Sequence, residues 1–97
     1  MTDALPHGVV HYATSHFTHE TLPDKLRKDH CTKAGVWGQL VVQSGQVLLC
    51  RDGKEDLVLS AGDRAVFAPQ EIHSANPIGA VAFEVRFHRQ ESTDAIK

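Results

Sequence analysis

The sequence predicts an all-β domain, and three observations carry that expectation. Turn signals recur at short intervals, at Leu22-Pro23-Asp24, Ala34-Gly35, Ser44-Gly45, Asp52-Gly53, Ala61-Gly62-Asp63, Asn76-Pro77 and Ile78-Gly79. Between them lie short runs rich in Val, Leu and Phe, the pattern of a β-sandwich or barrel. Only the stretch 23–29 offers a helical option, and it is too short to carry a core.

Strands are expected at 8–13, 26–31, 36–43, 46–51, 55–59, 64–68, 72–76 and 80–88. The last shows the cleanest alternation. Val81, Phe83, Val85 and Phe87 fall on one face, and Ala82, Glu84, Arg86 and His88 on the other. The first set is assigned to the core and the second to solvent or a subunit interface. Leu40-Val41-Val42 and Val47-Leu48-Leu49 are continuous apolar runs, so these strands are expected to be covered on both sides. Asp52-Gly53 is the strongest hairpin signal, because both residues tolerate the positive φ of a type I′ turn.

At 97 residues the chain has room for one core, so residues 1–97 are read as a single domain. Its 41% hydrophobic and 23% charged content is that of a globular domain and excludes a disordered or collagenous chain. A net charge of −2 and a pI near 6.4 provide no basic field for nucleic acid or an anionic membrane. The apolar runs are far shorter than the roughly 20 residues that span a bilayer. The start, MTDALPHGVV, carries no cationic segment followed by an apolar one, so a cytoplasmic location is expected. Cys31 and Cys50 are then reduced thiols, without the close spacing of a zinc ribbon or dithiol redox site.

Seven histidines are the compositional oddity, and four of them (His7, His11, His16, His19) fall in the first nineteen residues. Those four are read as polar surface able to collect adventitious metal. The stretch from Ala61 to Pro77 has a different character. Gly62-Asp63 turns the chain, Ala65 to Ala68 form an apolar strand, Pro69 fixes the loop, and His73 emerges four residues later. That layout resembles the second motif of the cupins. The first cupin motif ordinarily supplies an H-x-H pair, a Glu and a closing Gly. Gly45 fits the closing glycine, but the Glu position falls near Gly38 and the H-x-H positions near Cys31 and Lys33. His30 is the imidazole that remains nearby.

The run His30-Cys31-Thr32-Lys33-Ala34-Gly35-Val36-Trp37-Gly38 resembles the signature of the tellurite-resistance TehB/YeaR-like domain family. Thr14 with Phe17, Thr21-Leu22-Pro23, and Pro69 with His73 match further features of that family. The resemblance covers about residues 6–88 and leaves 89–97 as a tail. It implies a cupin-type double-stranded β-helix (jelly-roll) barrel, alone here and fused before a methyltransferase in relatives. It also implies a stress-response role under the label of tellurite resistance, which describes a phenotype and names no reaction. Relatives often carry an acidic residue near the position of Arg86, and this chain departs from them there.

On this reading His30 and His73 are the metal ligands, brought together across the barrel mouth. The ion is divalent, zinc first, with iron or nickel as alternatives. Catalytic zinc usually takes three protein ligands, and the third is open among Glu84, His88, Cys31 and Glu71. Lys33 is expected near the mouth as a point charge for an anion's oxygens, or as a solvated loop lysine. Trp37 is read as core or interface packing, or as an aromatic wall for a small ligand. Glu71 is placed at the rim. Three functional classes follow. One is a binding module for a metal and a small-molecule or anionic ligand, the second a metal-dependent enzyme, and the third a metal-free interaction domain. A homodimer is expected from the small core and the strand edges that need covering.

Overall fold

The computed structural model describes residues 5–90. In chain order they form β1 (Val9–Thr18), a single-turn 3-10 helix (Asp24–Arg27), β2 (Val36–Arg51), β3 (Leu57–Ser60), β4 (Arg64–Phe67) and β5 (His73–Gln90). The all-β expectation holds, and every strand pairing is antiparallel. The sheet runs in the order β1-β5-β2-β3, with β4 also paired to β2. Among the described residues β1 and β3 do not pair, so the sheet stays open.

Two pairs of predicted strands are single long ones. Segments 36–43 and 46–51 join in β2, and 72–76 and 80–88 join in β5, which pairs with β2 along most of its length. Gly45 is expected in a turn between two strands; it sits instead in an irregularity within one, with register shifts at Val42/Ser44 and Ser44/Gln46. Its φ is +76°, and a Cβ there would collide with the Ala80 carbonyl, so glycine suits both the backbone and the contact. The irregularity also switches parity. Even positions Leu40 and Val42 and then odd positions Val47 and Leu49 all enter one core. Both halves of β2 thereby contribute to one core, shared with Val85 and Phe83, the β5 ladder partners of Leu40 and Val42.

The expected strand at 26–31 is the other difference. Residues 24–27 take the helical option, and only His30 joins the sheet, through an isolated antiparallel bridge to His73. The Leu26 N–H donates to the Pro23 carbonyl at 3.0 Å, which closes the 3-10 turn, and local hydrogen bonds also fix the turn before it. Thr18 and Thr21 bond each other's backbone N–H through their hydroxyls, and the N–H of Leu22 donates to the Thr18 carbonyl. The resulting turn drives Leu22 into the core at 5% exposure. Pro23 then presets φ at −62° ahead of the 3-10 turn.

Of the predicted tail, Arg89 and Gln90 belong to β5, and 91–97 lie outside the described residues. Residues 1–4 of the start read for a leader also lie outside them. No helix among the described residues is long and apolar enough to cross a membrane.

Candidate functional site

His30 and His73 meet through two main-chain hydrogen bonds, His30 N to His73 O at 2.9 Å and His73 N to His30 O at 2.7 Å. That bridge sets their rings edge to face with centroids 5.7 Å apart. Two imidazoles on one tetrahedral or slightly opened ion would stand roughly 5–6 Å apart, given metal–nitrogen bonds of about 2 Å. The separation therefore suits a shared ion.

His73 is held on three sides. Its main chain is bridged to His30, its ring stacks on Phe67 at 3.9 Å and 26°, and its Nδ1 lies 2.8 Å from the Glu71 carbonyl. A carbonyl only accepts, so Nδ1 carries the proton and Nε2 keeps its lone pair. A backbone acceptor on the far nitrogen is how ligating histidines are ordinarily oriented. Burial pushes the His73 imidazole below its ordinary range. The Glu71 carbonyl works against burial, His30 adds to it, and the Glu71 charge opposes it. The net effect favours the neutral, ligand-competent ring.

Beneath the two rings lies a cavity of about 50 Å³, reached by His30, Thr32 and His73 and otherwise lined by hydrocarbon. The Thr32 hydroxyl donates to the Val36 carbonyl at 2.8 Å, which fixes the loop carrying His30 to the start of β2. On the outer side His30 also faces a shallow groove shared with Tyr12, Cys31 and Lys33. Lys33 and Cys31 are both exposed there.

The remaining expected site residues go elsewhere. The Glu71 carboxylate is engaged by Lys54 Nζ at 2.8 Å and by the Ala68 N–H at 2.9 Å. Burial works to raise its pKa, but those two partners and the Arg51 charge outweigh it and hold the carboxyl below its ordinary range. Trp37 is half-buried and paired with His88, on the face of the sheet opposite the cavity. Glu84 and His88 share that opposite face. Among the described residues no group of three His, Cys, Asp or Glu stands close enough to hold one ion.

The opposite face holds a cluster that sequence reading missed. The register of β1 on β5 sets His11 opposite His88 and His16 opposite Glu84. With Thr14 and Arg86 these line a polar groove of about 340 Å³. The His11 and His88 rings lie 5.3 Å apart. Glu84, 7% exposed, accepts from Gln43 Nε2 at 3.0 Å and pairs with Arg86 Nε. No local signal marks this cluster, because the strands that build it are separated by most of the chain.

With this geometry in place, comparison with known proteins gives a consistent picture. The chain matches the TehB-like domain model over residues 13–85. Its fold is similar to a crystal structure of a protein from E. coli (strain K12), with a TM-score of 0.85 at 20% identity, covering 94% of this chain and 100% of that one. It is also similar to TehB from Haemophilus influenzae, with a TM-score of 0.72 at 20% identity over 87% of this chain. The match spans only 32% of TehB, about a third of that protein. A protein from Neisseria meningitidis is similar at a TM-score of 0.58 and 11% identity, covering 90% of this chain and 79% of that one. No curated protein matches the chain.

Proposed function

The chain belongs to the TehB-like domain family, whose model matches residues 13–85, and on that premise we propose that it is a small stress-response binding protein of the tellurite-resistance type. It takes a divalent metal at His30 and His73 and a small, oxyanionic ligand in the adjoining groove at Lys33. The observation that carries this reading is the paired imidazoles over a cavity, with His73 locked in the tautomer that leaves Nε2 free to ligate. A divalent ion bound there would act as a Lewis acid toward the ligand's oxygens. The protein's own part is to hold the His73 imidazole neutral and oriented with His30 beside it, and to bring the Lys33 ammonium near the ligand's charge.

Two imidazoles suit an open site completed by the ligand's own oxygens and by water, rather than a closed structural one. That favours binding over turnover, and Glu71 is committed to Lys54 and Ala68 rather than to the ion. The proposal includes the finer fold, a small cupin-type jelly roll. The long bent strands and the glycine at the bend support it. It also includes a cytoplasmic homodimer. Support for the dimer comes from edge strand β3, which presents Val58 at 55% exposure.

Metal content by mass spectrometry tests the reading, on untagged wild type, His30→Ala and His73→Ala. About one ion per chain, lost in both variants, is the expected result. Metal retained in both variants would move the site to the histidines around His11 and His88. No metal in any of the three would leave a metal-free binding or interaction domain.

A further inference from the structure

The cavity beneath His30 and His73 has a chemistry of its own. Nine of its twelve lining residues are apolar, four of them phenylalanines. Two of its three polar residues are already engaged. The Thr32 hydroxyl is spent on the Val36 carbonyl and His73 Nδ1 on the Glu71 carbonyl. Lys33 lines the outer groove and not the cavity. An oxyanion drawn wholly into the hydrocarbon part would lose its hydration with no lysine or arginine in the lining to replace it, at a cost of several kcal/mol or more. Size narrows the guest further. A water's share of liquid volume is about 30 Å³, and an apolar cavity of about 150 Å³ stays dry and admits benzene or xenon. At about 50 Å³ this cavity holds a guest of two or so heavy atoms.

We infer that the cavity binds a neutral diatomic molecule, of the class of dioxygen or nitric oxide, and presents it to the His30 and His73 imidazoles. This rests on the proposed site in one respect, that the guest becomes a neighbour of the bound ion. It also divides the site by chemistry, with charged ligands kept to the Lys33 groove and neutral ones in the hydrocarbon interior. Leu22, just before Pro23, and Leu26, within the 3-10 turn, both line the cavity.

Xenon is the probe, applied under pressure to the metal-free chain and read by methyl NMR. Saturable shifts are expected at Leu26, Leu40 and Val85, which line the cavity, and not at Val47 or Leu59, core residues outside its lining. Ala75→Val and Val85→Ile each add bulk to the wall, and whichever folds is expected to weaken xenon binding several-fold. Equal or non-saturating shifts throughout the core would overturn the inference, as would filling variants that bind xenon like wild type. Dioxygen and nitric oxide are then run as competitors. Loss of the xenon response names the gas, and a response that persists under both overturns the diatomic class. Because the probe is read without metal, a failed metal analysis and a failed xenon titration are separate results.

Discussion

The Phe67 ring lies on the His73 imidazole, centroids 3.9 Å apart and planes 26° from parallel, and Gly38 is what gives that ring its place. Gly38 pairs with Phe67 in the β2–β4 ladder and is buried. A Cβ at position 38 would overlap the Phe67 ring, which in turn cannot move without disturbing His73. Gly38→Ala is therefore expected to cost about 1–3 kcal/mol, the usual range for overpacking a core. A lowered urea midpoint and a displaced His73 ring resonance would be its two signatures. A midpoint equal to wild type would mean the ring slides aside freely.

Thr32 ties the His30 loop to the first residue of β2 through its hydroxyl and the Val36 carbonyl. Its own carbonyl accepts from the Gln70 N–H at 3.2 Å, so the loop is held at both ends. Thr32→Val keeps the shape and removes the donor, with an expected loss of about 0.5–1.5 kcal/mol. Thr32→Ser should retain most of the stability, and amide exchange at Val36 should quicken in the valine variant alone. Equal exchange in both variants would assign the effect to packing.

What could be read along the chain was whatever depends on near neighbours. The alternation of Val81, Phe83 and Val85 and the continuous run at Leu40 to Val42 announce their burial directly, because period and hydrophobicity are local properties. Phe87 is only half-buried, and Glu84 and His88, assigned to the solvent or interface face, are buried at 7% and 8% exposure because β1 and Gln43 cover them. Gly45 was ambiguous for a physical reason. A glycine at positive φ serves a strand end and an irregularity within a strand equally well, and only the pairing with β5 separates them. Segment 26–31 differs because the Leu26 N–H closes the 3-10 turn on the Pro23 carbonyl and, beyond it, only His30 finds a strand partner. His30 and His73 are singled out mainly through the family resemblance and only weakly by spacing, whereas the pairing of His11 with His88 needs the β1–β5 register, which no local pattern encodes.

The two thiols differ in access, since Cys31 is exposed and Cys50 half-buried, and both are free. A disulfide-exchange reagent is expected to consume one thiol quickly and the second slowly, with two released in denaturant. Cys31→Ser should remove the fast phase and leave the slow one. A single fast phase of two thiols would show that the Cys50 strand pairing with Ser74 opens readily.

Stability should fall on mild acidification, and His88 supplies part of the reason. Burial is the largest influence on its imidazole and lowers its pKa, the Arg86 carbonyl works against that, and the charges of His11 and Arg86 lower it further. A group with a folded pKa below its ordinary value of 6.5 binds fewer protons folded than unfolded. Its contribution is thus complete above about pH 6.5 and is lost as the pH falls toward the folded value. His73 acts in the same direction through its own burial. Glu71 adds a separate loss further down, below its ordinary 4.5, because its folded pKa is also depressed. Urea midpoints measured from pH 8 to pH 5 should fall with acid. His88→Gln should flatten that slope without abolishing it, since His73 remains. If the variant's slope matched wild type, His88 would contribute nothing to the acid loss, and His73 would carry it alone in this range.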